Sequence, residues 1–251
     1  MKSRPYVVSI AGFDPSSGAG LTADIKTFEA LKCYGLAVCT ANTIQNDKEF
    51  EMCYWNDLEV IKSQISILFK RFKIEYVKIG IVPNWNMLDQ ITDFLLKQND
   101  SLKIVLDPVL RSSSNFDFLS NPENLETLDQ VLEKVYIVTP NYQEIERLYN
   151  DKTIEETIAY ICNKTNLYLK GGHRKDRIGV DQLFTIDGKQ YTLNPKMKNI
   201  SEKHGSGCIL SSAITAKLSL GFPLIKACYR GKMYTEKVLS SNKSLLGYHR
   251  I

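Results

Sequence analysis

The residues best placed to do chemistry are His204-Gly205-Ser206-Gly207-Cys208, directly ahead of an apolar run from Ile209 to Leu220. Ile209, Ala213, Ala216 and Leu220 recur at helical spacing, which predicts a well-buried helix. The two glycines permit a tight turn and a close approach of backbone to ligand. Amides at a helix start point outward where the macrodipole is positive, so this turn could hold an anion. Cys208 stands in the same turn, where a thiolate is expected to be favoured. The competing reading is a glycine turn before a core helix, with a cysteine that merely packs.

Four other stretches carry candidate groups. Asp107 closes the apolar run Lys103–Leu106 and precedes Pro108; a carboxylate there can hold Mg2+ or simply begin a turn. Asn141 and Glu144 stand three residues apart, able to orient hydrated Mg2+ with its phosphates or to form a helix capping box. Lys170, followed by Gly171-Gly172-His173, offers a compact positive charge for phosphate. Gln45 presents amide donor and acceptor together and could read the hydrogen-bonding edge of a heterocycle. Common nucleotide signatures are missing: no G-x-x-x-x-G-K-[ST] occurs, and Gly205-Ser206-Gly207 lacks the third glycine of a dinucleotide fingerprint. Nor is there a complete G-x-S-x-G elbow.

The elements that must position these groups alternate. Extended runs are predicted at 6–12, 35–44, 76–80, 103–106, 136–139 and 167–169, with helices from Leu21 to about Cys33, 58–72, 86–98, 122–134, 143–149 and 154–164. Residues 183–193 predict a hairpin about Asp187-Gly188. The 205–220 helix and a last amphipathic helix over 223–239 complete the chain. This order predicts an α/β fold with right-handed crossovers, a mostly parallel sheet covered on both faces, and one domain over residues 1–251. Such sheets bind ligands beyond the carboxyl ends of their strands. The polar and glycine-rich stretches fall at those ends, Gly12–Gly20 and Gly80 among them.

Composition excludes several classes. With 251 residues, 43% of them hydrophobic, the chain can bury a substantial core. No apolar run has the length of a membrane span, and the N-terminal stretch has no signal-peptide pattern. The net charge of +4 is spread without a dense basic run, which argues against nucleic acid. Six cysteines without a C-x-x-C pair suit a reducing cytoplasm, and three histidines far apart in sequence argue against a histidine metal site.

The ordered set of motifs resembles the hydroxymethylpyrimidine/phosphomethylpyrimidine kinases of thiamine biosynthesis, in the ribokinase-like superfamily. The pieces are Ile10-Ala11-Gly12 with Asp14-Pro15-Ser16, Gly18-Ala19-Gly20, Ala23–Phe28, Thr40–Thr43 with Gln45-Asn46, and Lys78-Ile79-Gly80. They continue with Asp107-Pro108-Val109, Thr139-Pro140-Asn141 with Glu144, Lys170–His173 and His204–Cys208. The resemblance implies a ribokinase-like three-layer α/β/α sandwich, ATP and Mg2+ as cofactors, and transfer to the hydroxymethyl group of 4-amino-5-hydroxymethyl-2-methylpyrimidine. Many members also phosphorylate the resulting monophosphate. It further implies that Gln45 reads the pyrimidine, that Gly12, Ala19, Asp24, Ile81 and Val109 are pocket positions, and that Gly205, Ser206, Gly207 and Cys208 form the anion hole. Cys208 then stands where related sugar kinases carry an aspartate base, with Asp107, Asn141, Glu144 and Lys170 on the nucleotide phosphates and Asp107 and Glu144 near Mg2+. A homodimer is implied by family analogy, and the 183–193 hairpin could serve it. The chain departs from the family pattern at Arg111-Ser112-Ser113-Ser114 and at Ser201-Glu202-Lys203; Arg111 and Lys203 could serve a substrate phosphate in their own way. A pyridoxal or pyridoxine kinase shares the scaffold, and a non-catalytic pyrimidine or nucleotide sensor is the alternative from another class.

Overall fold

A computed structural model describes residues 3–111, 118, 125–172, 174, 177–198 and 200–249. Nine strands form one sheet: β1 (Tyr6–Phe13), β2 (Tyr34–Gln45), β3 (Phe50–Trp55), β4 (Ile74–Ile79), β5 (Lys103–Leu106), β6 (Ile137–Val138), β7 (Asn166–Leu169), β8 (Asp181–Phe184) and β9 (Gln190–Leu193). Their spatial order is β3-β2-β1-β4-β5-β6-β7-β8-β9. The six central strands run parallel. Antiparallel strands β3, β8 and β9 extend the two edges.

The parallel strands are apolar on both faces, so successive residues feed opposite layers. Val8, Ile10, Val77, Ile79, Ile104 and Leu106 enter one core with helices α2 (Leu58–Phe69), α3 (Trp85–Gln98), α4 (Leu125–Lys134), α5 (Tyr142–Leu148) and α6 (Ile154–Cys162). Val7, Val105 and Ile137 enter the other layer, under α1 (Gly20–Ala30), α7 (Ser206–Ser219) and α8 (Leu224–Leu239). The fold is the expected three-layer α/β/α sandwich.

Two differences from expectation have local causes. No strand is predicted over residues 48–57, yet β3 pairs with β2 there. Its sequence, FEMCYW, is apolar except at Glu51, but the strand lies at the sheet edge with no residue buried and shows no in/out alternation of polar and apolar residues. Helix α1 closes three residues earlier than predicted, in a turn where Lys32 adopts the left-handed conformation (φ 68°). The predicted helix start at 122–124 lies outside the described residues.

Candidate active site

The loop between β1 and α1 is organised around one carboxylate. Asp14 is fully buried and accepts from the amides of Ser16, Gly18 and Ala19 at 2.8, 3.0 and 2.8 Å. It also meets His204 Nε2 at 3.0 Å. Burial opposes its charge, but His204 and these donors outweigh that cost and hold the carboxyl below its ordinary value. The loop is therefore locked to the residue preceding the glycine turn. At Gly205 the backbone is left-handed (φ 73°), and a Cβ would fall 2.1 Å from the Gly18 carbonyl oxygen. Only glycine fits.

Helix α7 starts from that turn with no side-chain cap. Uncapped amides at a helix start are what a phosphate cradle requires. The bare Cα of Gly207 faces two groups at once: a Cβ there would stand 3.4 Å from Lys170 Nζ and 3.8 Å from Asp107 Oδ2. Lys170, at the end of β7, donates to Asp107 at 2.8 Å and lies 3.6 Å from Glu144. Ser211, one turn into α7, donates to Asp107 Oδ2 at 3.0 Å. Asp107 is opposed by burial, but Lys170 and Lys78 carry its carboxyl below the ordinary value. Burial likewise opposes the charge of Lys170, yet Asp107 and Glu144 raise its ammonium well above the usual range.

Asn141 and Glu144 form the capping box of α5: Asn141 Oδ1 accepts from the Glu144 amide at 2.8 Å, and Glu144 Oε2 accepts from the Asn141 amide at 2.7 Å. Capping and a place beside Lys170 prove compatible, since the Glu144 carboxylate does both. Burial leads in raising its pKa above the ordinary value, against the pull of Lys170.

A second pair lies beneath the turn. Lys78, on β4, and Asp24, on α1, meet at 2.8 Å with both side chains fully buried. Asp24 also accepts from Ser9 at 2.5 Å and from Ser212 at 2.6 Å. Asp24, an expected pocket position, thus has its carboxylate engaged by Lys78, Ser9 and Ser212, the last of which ties it to α7. Lys78, Ser211 and Ser212 were not singled out for any role from sequence. The readable signal was a lysine inside the apolar strand Tyr76–Gly80, because a buried charge needs a partner.

Cys208 brings a correction. The residue is half-buried, and burial pushes its thiol up to about 11. Lys78 and the Gly20 amide pull the other way without prevailing. A helix start lowers a thiol pKa only when desolvation does not outweigh it.

This set of motifs, on this sheet, has relatives. The family model described as phosphomethylpyrimidine kinase matches residues 14–250. The chain belongs to the phosphomethylpyrimidine kinase family. It is 36% identical over 252 residues to the hydroxymethylpyrimidine/phosphomethylpyrimidine kinase of Aquifex aeolicus, covering 96% of this chain and 97% of that one. The solved phosphomethylpyrimidine kinase of Clostridium difficile is 32% identical, with a TM-score of 0.76 over 92% of this chain and 98% of that chain. Staphylococcus aureus pyridoxal kinase, solved with AMP-PCP and pyridoxal, is 25% identical, with a TM-score of 0.81 over 97% and 92%. The chain is thus a kinase of the thiamine-biosynthetic type on a ribokinase-like fold, and the pyridoxal kinase on that fold binds a nucleotide analogue.

The remaining expected pocket residues line the same strand ends. Gly12 lies against Ile81: a Cβ on Gly12 would fall 2.4 Å from Ile81 Cδ1. Gln45, half-buried at the end of β2, donates to Thr43 Oγ1 at 2.7 Å. Val109 is half-buried just past Asp107, and Ala19 touches the Gly205 turn. Lys203 is 3% exposed, and its ammonium donates to the Asn242 carbonyl at 2.9 Å. Arg111 is exposed, while Ser112–Ser114 and His173 lie outside the described residues.

Among the described residues no group of three or more His, Cys, Asp or Glu side chains is placed to hold a metal. The carboxylates Asp107 and Glu144 beside Lys170 fit the usual manner of Mg2+ binding, through one or two carboxylates with phosphates and water completing the shell.

Proposed function

We propose that the chain transfers the γ-phosphoryl of ATP to the hydroxymethyl oxygen of 4-amino-5-hydroxymethyl-2-methylpyrimidine, and then phosphorylates the monophosphate. The observation that carries this reading is the convergence of Lys170 and Asp107 on the bare Cα of Gly207, at the start of an α7 without a side-chain cap. Phosphoryl transfer has a loose transition state, so fixed donors and neutralising charge supply most of the acceleration. The 205–208 amides receive the γ-phosphoryl oxygens, and Lys170 exchanges part of its carboxylate contact for phosphate. Asp107 and Glu144 would hold Mg2+, which supplies neutralisation of the donor phosphates.

The acceptor oxygen attacks phosphorus, the bond from phosphorus to the leaving ADP oxygen breaks, and the hydroxymethyl proton passes to Cys208. A thiol with a pKa of about 11 gives a scarce thiolate, but a basic one. Proton transfer comes late, when the acceptor oxygen is already acidified by its new bond to phosphorus. Gln45 reads the pyrimidine edge at the end of β2.

Pyridoxal is the acceptor in a second reading, supported by the likeness to the Staphylococcus aureus pyridoxal kinase. A coupled ADP assay with the pyrimidine alcohol, its monophosphate and pyridoxine decides between them. Faster turnover of pyridoxine would sink the first reading. Tight pyrimidine binding with no ADP formed would indicate a sensor instead.

A further inference from the structure

Beyond α8 the chain turns back toward the site. The Leu245 carbonyl accepts from the His204 amide at 2.9 Å. Leu246 then seats against Gly18: a Cβ on Gly18 would fall 2.8 Å from Leu246 Cδ2 and 2.5 Å from His204 Cδ2. Three segments distant in sequence meet where only a hydrogen leaves room. Gly247 is similarly enclosed, with its Cβ position 2.5 Å from Val238 Cγ1 and 3.4 Å from Lys203 Cδ.

Lys203 ties the same segment down. Its buried ammonium donates to the Asn242 carbonyl and to the Ser201 hydroxyl, which itself lies 2.9 Å from that carbonyl. Asn242 Nδ2 in turn donates to the Leu246 carbonyl at 2.9 Å, fixing the 242–246 turn. Further along, His249 Nδ1 meets the Tyr234 hydroxyl at 3.0 Å. Among the described residues, Lys203 spends its charge on carbonyl and hydroxyl oxygens and forms no ion pair with a carboxylate. A buried ammonium so placed is costly, and what it secures is the stretch that leads into Gly205.

We infer that residues 240–249, anchored by Lys203, form a strap that holds the His204–Gly205 turn, and with it the anion hole, in the geometry phosphoryl transfer needs. Lys203 and Leu246 are positioning residues in this account. The inference rests on the reading of the 205–208 amides as the phosphoryl cradle. Because Gly205 abuts the Gly18 carbonyl, a shift of His204 or Leu246 reaches the β1–α1 loop and the start of α7 together. A displacement of about 1 Å in such a site can cost on the order of a hundredfold in rate.

The test uses full-length Lys203→Met, Leu246→Ala and Lys203→Arg proteins. ADP release gives kcat and KM, and hydrogen exchange of the unliganded proteins reports the 205–208 amides. The strap predicts kcat lower by about ten- to a hundredfold in the Met and Ala variants, with the KM for ATP nearly unchanged. Exchange at 205–208 should quicken while that of α2 and α3 stays at the wild-type rate, and Lys203→Arg should recover most of the loss. Wild-type kcat in both variants, unchanged exchange at 205–208, or exchange that quickens equally in α2 and α3 would each overturn it. If the wild-type protein forms no ADP from the pyrimidine, the proposed reaction fails, while the exchange comparison still decides whether the strap holds the turn.

Discussion

Two lysine–aspartate pairs grip the first turns of α7, and they differ in what surrounds them. Asp24 and Lys78 are sealed, each with no exposed side-chain surface, and Ser212 links them to the helix. Asp107 and Lys170 are linked to the helix by the neighbouring Ser211, but Lys170 retains 11% exposure and has Glu144 as a second acidic neighbour. Adjacent serines on one helix therefore reach two pairs of the same chemistry. The sealed pair cannot trade its partner for a ligand, since nothing soluble reaches it. In the proposed reaction the second pair does, because its ammonium is partly exposed, faces Gly207 and shares two carboxylates. Position relative to solvent, rather than residue type, separates support from chemistry.

The largest expected effect breaks the sealed pair. Lys78→Met leaves the Asp24 carboxylate buried without its cation and should lower unfolding free energy by about 3–5 kcal/mol. Urea unfolding measures this; a loss under about 1 kcal/mol would mean that Ser9 and Ser212 suffice for Asp24. The second pair should respond mainly in rate. Lys170→Met is expected to lower kcat by about a hundred- to a thousandfold, with a smaller loss of stability. If Lys170→Met proves the more destabilising of the two, the distinction between the pairs falls.

Cys208 lies within the fields of both pairs, and its titration sharpens the comparison. With a pKa of about 11, about one thiol in ten thousand is ionised at pH 7. If the thiolate is the base, kcat should rise about tenfold per pH unit above neutrality until another group limits it. Cys208→Ala should lose that slope and about a hundredfold in kcat while still binding the pyrimidine. Alkylation by iodoacetamide at pH 7 should be correspondingly slow. A flat pH–rate profile in the wild-type protein would leave Cys208 as a backbone donor only.

How much of this was legible follows the same division. The central strands could be read because burial on both faces writes a continuous apolar run, and the strand-end groups could be read because turns and glycines interrupt it. Edge strand β3 lacks the alternation of polar and apolar residues that marks a half-buried strand. Asp107, Lys170 and the 205–208 turn stand out in the sequence by their position along the chain. No local pattern says whether Asp24, in the second turn of α1, is open to a ligand or committed to Lys78. The Cys208 pKa was misjudged for a related reason: the helix start is visible in sequence, while desolvation depends on which distant segments close over the thiol. Lys203 likewise takes its meaning from residues 242–247, some forty positions away.

The smallest effects separate the two roles of Glu144. Asn141→Ala removes a cap acceptor from α5 and should cost about 1 kcal/mol of stability with little change in kcat. Glu144→Gln keeps an oxygen for the Asn141 amide but removes the charge beside Lys170. Because burial raises the Glu144 pKa, the folded protein binds that proton more tightly than the unfolded chain does. The ionised carboxylate therefore costs stability above its ordinary value of 4.5, and the cost is relieved as pH falls below it. Glu144→Gln should accordingly equal or exceed the wild-type protein in stability at pH 7, with the difference vanishing in acid. Asp107 has the opposite sign: its lowered pKa gives stability above its ordinary value of 3.8 that is lost only as pH falls through the folded value. A marked destabilisation by Glu144→Gln at pH 7 would show that attraction to Lys170 outweighs burial, making the cleft cluster a balanced triad rather than a pair with a strained neighbour.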